Sequence, residues 1–407
     1  MCDTRPGFTQ PVRRLPTFPV VLAGSAAFLN LYATQPLLPL LSRSFGATAF
    51  DVGLTITAPT VAIAITAPFI GRLADRIGLR RVIVGSVWTL MVATALAATA
   101  GSLQQLIFWR FIQGIATPGI FASTIAYIHE VWPATHAGRA TAAYMSGTVL
   151  GGFTGRAVCG IVADDWSWQA SFLALAILTA VVAAALSLWL PPEPAPEARH
   201  HAPQLRTSRS LGDLMRNRRL VATCAVGFCI LFTQVAMFTY VTFHVAAPPY
   251  SLSTVALGWL FVVYLVGAAV MPLSGRWIDS YGHRAGIASA MSIGATGSLM
   301  TLAPSLPVII VGLALCATGV FIAQATASSY IGAVTTQDRA LAVGLYSTFY
   351  YAGGSVGAVL PAALWSRGGW PGCVGLIVAV QAAGVVLAFT QWTAAVATRD
   401  VGVATGD

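Results

Sequence analysis

Apolar residues fall in long blocks separated by short polar turns along nearly the whole chain. A helix needs about 20 predominantly apolar residues to cross a bilayer. Residues 18–41 supply such a block without a single charge, and 82–100, 170–190 and 374–391 supply others. The pattern predicts twelve transmembrane helices, over 17–42, 52–72, 81–100, 103–130, 138–163, 168–190, 219–246, 254–275, 284–303, 305–332, 339–365 and 370–395. The expected fold class is all-α and integral to the membrane.

One stretch breaks the pattern. Residues 191–218 open with Pro191, Pro192, Pro194 and Pro196 and continue polar and basic to the start of the seventh block. Such a segment reads as a linker, extended or interfacial. The expected organisation is a tail (1–16), a six-helix bundle (17–190), the linker (191–218), a second six-helix bundle (219–395) and a second tail (396–407). The two halves repeat each other. Pro68, Gly71, Asp75, Gly78 and Arg80 recur as Pro272, Gly275, Asp279, Gly282 and Arg284, offset by 204. Gly151, Gly152, Gly155 and Trp168 recur as Gly353, Gly354, Gly357 and Trp370, offset by 202. Two sets with nearly equal offsets indicate a duplicated unit, an architecture that transporters use around a central site.

Composition agrees and excludes alternatives. The chain is 57% hydrophobic and 9% charged, against about 25% charged in a soluble domain. All 22 of its Lys and Arg residues are arginine. Without lysine there is no Walker P-loop and no Schiff base. ATP is thereby excluded as a direct drive through this chain, and an ion or substrate gradient is the expected energy source. The six cysteines form no C-x-x-C pair, so neither metal nor disulfide is expected. No HExxH, GxSxG or cluster of catalytic acids is present, and neither an enzyme nor a cofactor is expected. Arginines crowd one set of loops, while the other set holds only Arg43 and Arg367. The positive-inside rule then puts both termini in the cytoplasm, with the first block retained as a helix.

The sequence G-R-L-A-D-R-I-G-L-R-R at 71–81 resembles the signature loop between helices 2 and 3 of the major facilitator superfamily, and 275–284 is its weaker copy between helices 8 and 9. Arg110, Gln113 and Gly114 match the helix-4 motif. Tyr32, Gln35, Pro36 and Pro39, with Gly147, Gly151, Gly152, Gly155 and Arg156, are similar to a bacterial efflux-permease branch. The resemblance covers roughly 20–395. It implies two pseudo-symmetric six-helix bundles and alternating access. It also implies export of drugs or metabolites by proton-coupled antiport, as a monomer in a bacterial inner membrane. An importer or exchanger of sugars or organic anions on the same fold is the alternative. The expected partners are a small-molecule substrate, protons and the lipid bilayer, without nucleic acid.

The resemblance also assigns residues. Asp75 is expected to latch the first half to helix 11, which begins near Asp338 and Arg339. Arg76, Arg80 and Arg81 would pair with Glu130 or merely enforce topology. Gly71, Gly78, Gly275, Asp279, Gly282 and Arg284 complete the gating loops. The chain departs from the family pattern at Leu79, where a basic residue is usual, and at Gly152, where a proline is usual.

The buried charges can be read from the residues themselves. Arg110 lies on the order of 10 Å into helix 4, where a charge costs at least about 2.5 kcal/mol and function is the default reading. Gln113 lies one turn below it. Arg156 is at similar depth in helix 5, whose glycines Gly147, Gly151, Gly152 and Gly155 suit close packing. Helix 1 offers Asn30, Tyr32 and Gln35. Gln234, Tyr240, His244, Tyr264, Gln324, Tyr346 and Tyr350 are further candidates for a cavity lining or for interhelical bonds. No Asp or Glu falls inside a predicted helix. Two arginines without an interior acid make the expected site electropositive, suited to neutral or anionic solutes or to a neutralising anion.

Overall fold

The computed structural model describes residues 16–193, 215–335 and 339–392. The expected tails, most of the linker and Asp338 lie outside them, as do the side chains of Asp279 and Arg339. The helices are α1 (Phe18–Leu31), α2 (Leu38–Phe45), α3 (Ala49–Ile77), α4 (Leu79–Ala97), α5 (Leu103–Val131), α6 (Ala134–Asp165) and α7 (Trp168–Trp189). The second half supplies α8 (Arg218–Ala246), α9 (Thr254–Leu260), α10 (Val263–Met300), α11 (Leu306–Val334), α12 (Arg339–Val359) and α13 (Ala362–Gln391). Many starts are written locally. Thr48 and Asp51 form a reciprocal capping box, and the hydroxyls of Ser102, Ser167 and Ser253 accept from the first turns of α5, α7 and α9.

The twelve spans emerge once the kinks are recognised. Two merged helices each hide a boundary at a glycine with positive φ: Gly282 (81°) inside α10 and Gly369 (57°) inside α13. Only glycine adopts such angles without strain. Three expected spans are interrupted rather than continuous. The first breaks after Leu31, passes through a short 3-10 turn (Gln35–Leu37) and resumes as α2, because Pro36 and Pro39 remove amide donors. The eighth tightens at Phe261 and Val262 into i→i−3 bonds, Val262 N to Trp259 O at 2.9 Å and Tyr264 N to Phe261 O at 3.1 Å. The eleventh breaks before Pro361 for the same reason as the first. Eight described segments, the interrupted first span Phe18–Phe45 among them, are long and apolar enough to cross a membrane.

Within the first bundle α1 packs on α6, α5 on α3 and α4, and α4 on α7. Within the second, α8 packs on α12 and α13, and α10 on α11. The glycine ladders found in the sequence sit on these seams. A Cβ at Gly147, Gly151 or Gly155 would collide with the backbone of Val21, Ser25 or Leu29 on α1. Gly353 and Gly357 meet Phe228 and Phe232 on α8 in the same manner. The sequence repeat is thus a repeat of packing.

The bundles touch through α3 against α12 and α6 against α9. The contacts concentrate away from the arginine-rich face. Gly53 lies against the Ala358 carbonyl, and Thr57 Oγ1 donates to Ser355 O at 3.0 Å. Ser355 Oγ reaches Thr60 Oγ1 at 2.8 Å. At the far end the Asp164 carboxylate accepts from Thr254 N at 3.1 Å, where Gly160 and Gly258 bring α6 and α9 together. On the arginine-rich face Gly71, Gly138 and Gly344 have open space around them, and Leu73, Asp75, Arg76 and Ile77 are exposed. Among the described residues the halves meet at one face, while the residues named on the arginine-rich face are exposed or have open space around them.

Candidate functional site

The interrupted first span organises the site. Breaking a helix inside a membrane strands carbonyls that water cannot reach, and each stranded group costs free energy unless another donor finds it. Arg110, on α5 and fully buried, is that donor. Its Nη1 donates to Asn30 O at 2.8 Å and to Gln113 Oε1 at 2.5 Å, and its Nη2 donates to Leu31 O. Its Nε donates to Thr55 O at 3.0 Å. That last carbonyl is available because Pro59, four residues on in α3, has no N–H to offer it. Gly114, one turn beyond Arg110, lets α5 approach the backbone of Pro59. The network continues through neutral groups. Gln113 Nε2 donates to Thr94 Oγ1 at 2.9 Å, Thr94 to Asn30 Oδ1 at 3.0 Å, and Asn30 Nδ2 to Thr179 Oγ1 at 3.0 Å.

Arg156 meets the same break a few residues later. Its Nε donates to Gln35 Oε1 at 2.8 Å and its Nη1 to Gly152 O at 2.6 Å. Three rings surround the guanidinium carbon: Phe261 at 4.7 Å, Tyr264 at 5.0 Å and Tyr32 at 5.3 Å from their centroids. Phe261 and Tyr264 are parallel, 6.0 Å apart, because the i→i−3 turn eclipses side chains three residues apart. Gly152 leaves room for the cation, since a Cβ there would stand 3.3 Å from Arg156 Nη1. Gln35 in turn reaches Thr239 Oγ1 of α8 at 3.5 Å. Those two residues are 204 apart, the offset of the repeated loop. Nearly equivalent positions that touch must lie near the pseudo-twofold axis. The Arg156 cluster, drawn from both halves, is therefore central.

The remaining candidates divide. Tyr346 donates to Gln324 Oε1 at 3.0 Å and stacks on Tyr350 at 5.9 Å, and Tyr350 packs edge-on to Tyr351. Gln234 is half-buried on α8. Tyr240 donates instead to Ala358 O at 2.9 Å, bracing the eleventh span where it breaks. His244 stacks on Trp370 at 5.4 Å. In the gating loop Gly78 turns with φ 94°. Arg80 donates to the carbonyls of Leu190 (2.9 Å) and Ser187 (2.7 Å), and its amide to the Glu193 carboxylate. Arg284, its repeat mate, donates to Trp392 O at the end of the twelfth span. Both cations sit where helix C-termini favour positive charge. Asp75, Arg76, Arg81 and Glu130 are exposed. Gly275 lies within α10. Phe261, the Pro59–Thr55 pair and the Asp164 cap were not legible in advance. The first had no polar signature, and the other two depend on helices meeting.

The comparisons agree with this geometry. The Major Facilitator Superfamily model matches residues 20–258 and 242–400. The chain is 31% identical over 371 residues to the MFS-type transporter YybF of Bacillus subtilis, covering 90% of this chain and 91% of that one. It is 30% identical to the inner membrane transport protein YnfM of Escherichia coli, covering 90% and 87%. Among solved structures it resembles a bacterial homolog of the human lysosomal transporter Spinster, in an inward-facing and occupied conformation, with TM-score 0.72, 14% identity and coverage of 94% and 96%. It also resembles the human organic anion transporter MFSD10, with TM-score 0.69, 18% identity and coverage of 93% and 100%. The chain belongs to the major facilitator superfamily: it is a multi-pass membrane transporter of small molecules.

Proposed function

We propose that the protein exports small molecules from the bacterial cytoplasm by alternating access, with protons as counter-ion. The observation that carries the alternating-access reading is the asymmetry of the contacts between halves, closed at one face and open at the arginine-rich face. The arginine distribution supports a cytoplasmic location for the arginine-rich face and, with it, for both termini. The moving bodies are then 17–190 and 219–395, joined by 191–218, within a single chain. Asp75 serves as the latch for the opposite, outward-open form. Export and the proton rest on the resemblance of the helix-1 and helix-5 motifs to efflux permeases.

The test is flux in inverted vesicles carrying an imposed pH gradient, acidic inside, over a panel of dyes and metabolites. Accumulation that collapses with the gradient supports proton-coupled export. Gradient-independent exchange, accelerated by solute on the far side, favours the second reading, an exchanger or importer of organic anions. The neutral surroundings of Arg110 and Arg156 keep that reading in play, since among the described residues no carboxylate touches either cation.

A further inference from the structure

The two buried arginines are built differently, and the difference points to a ligand. Arg110 is completely enclosed and spends its donors on three carbonyls and an amide oxygen. That is what a guanidinium looks like when its whole task is to hold protein together. Arg156 keeps 5% of its surface accessible, and only its Nε and Nη1 meet protein oxygens. Among the described residues its Nη2 donates to none. The adjoining Tyr32 is 6% exposed, and its buried hydroxyl has no hydrogen-bond partner. Aromatic faces lower the cost of burying the cation but leave its charge uncancelled.

We propose that Arg156 is the anchor for an organic monocarboxylate, whose charge pairs with the open edge of the guanidinium and whose apolar body lies among the aromatic side chains. The pairing is charge-assisted and suited to a planar carboxylate. The rings on either side come from both halves: Tyr32 from the first, Phe261 and Tyr264 from the second. Tyr350 and Tyr351 pack into the same apolar cluster as Tyr32. A ligand seated there touches both moving bodies, so its arrival can bias which face is open. A cationic solute at this place would be repelled by Arg156 with no acid to offset it. The proposal rests on the transporter reading above and narrows its substrate class.

The experiment uses the full-length protein in lipid nanodiscs, titrated with benzoate, phenylacetate and hexanoate and with the matched amides and amines, by calorimetry. Labelled benzoate flux in proteoliposomes is the second arm. Carboxylates should bind more tightly than their amides or amines by about tenfold or more. Arg156→Gln should lose about tenfold or more of the carboxylate affinity, leave amide affinity essentially unchanged, and remain monodisperse. Arg156→Lys should recover part of the loss. No preference for carboxylates, or an Arg156→Gln protein that binds them as before, overturns the proposal. Carboxylate binding without flux of any probe would leave the anion site standing and sink the transport reading of it. Flux of amines untouched by Arg156→Gln would do the reverse.

Discussion

Arg110 and Arg156 hold adjoining residues of one interrupted helix: the first takes the carbonyls of Asn30 and Leu31, the second lies over the ring of Tyr32 and takes the amide of Gln35. Their sequence signatures were alike, each a lone cation in an apolar helix. Their surroundings separate them into a brace and an open-edged cation.

The brace predicts a folding phenotype. Arg110→Ala strands the buried carbonyls of Leu31 and Thr55 and the amide oxygen of Gln113, which costs about 3 kcal/mol or more. The thermal midpoint in detergent should fall sharply. Arg110→Lys should recover only part, because one ammonium cannot span the positions of a planar fork. An Arg110→Ala protein as stable as the parent would refute the bracing role.

Glycine position, rather than glycine content, should govern tolerance. Gly151→Ala and Gly353→Ala push a methyl into the backbone of Ser25 and Phe228 respectively, and each should cost about 1–3 kcal/mol. Gly85 and Gly375 face open space. Alanine there should be neutral or stabilising by up to about 1 kcal/mol. Thermal midpoints of the four variants check the contrast, and equal behaviour would count against the seam.

The closed face should be lockable. Thr60 and Ser355 meet side chain to side chain across the halves, so a Thr60→Cys/Ser355→Cys pair should cross-link under oxidation. Flux should stop, then return on reduction. A cross-linked protein that still transports would exclude rocking about this seam.

Asp164 caps the start of α9 from the other half. Asp164→Ala removes a capping bond worth about 1 kcal/mol, which shifts a two-state balance roughly fivefold. Spin labels at Arg43 and Ser251, both exposed on the closed face, should report a larger share of long distances. An unchanged distribution would show that the cap does not set the balance.

How much the sequence disclosed follows from the range of the interactions. Span positions are local properties, and the apolar blocks located them. The equivalence of Gly78 and Gly282 was visible as a repeat, and both carry a positive φ. One turn of helix separates Arg110 from Gln113, which the spacing showed, and their side chains bond to each other. The destination of Arg80 was not legible. Its partners are carbonyls on α7 more than a hundred residues away, and carbonyls carry no side-chain label. The partner of Tyr240 was hidden for the same reason: its hydroxyl makes an interhelical bond to Ala358 O. The central role of Phe261 arises from a helix distortion that no residue type announces.

The two prolines of α3 release carbonyls to partners of different permanence. Pro59 releases the Thr55 carbonyl to Arg110, a permanent partner inside one bundle. Pro68 releases the Ala64 carbonyl, and the Thr348 hydroxyl of the opposite bundle is shared between that oxygen, at 3.3 Å, and Gly344 O of its own helix, at 3.2 Å. A hydroxyl-to-carbonyl bond nets only about 1 kcal/mol over its hydrated alternative. This contact can therefore break and re-form at little cost.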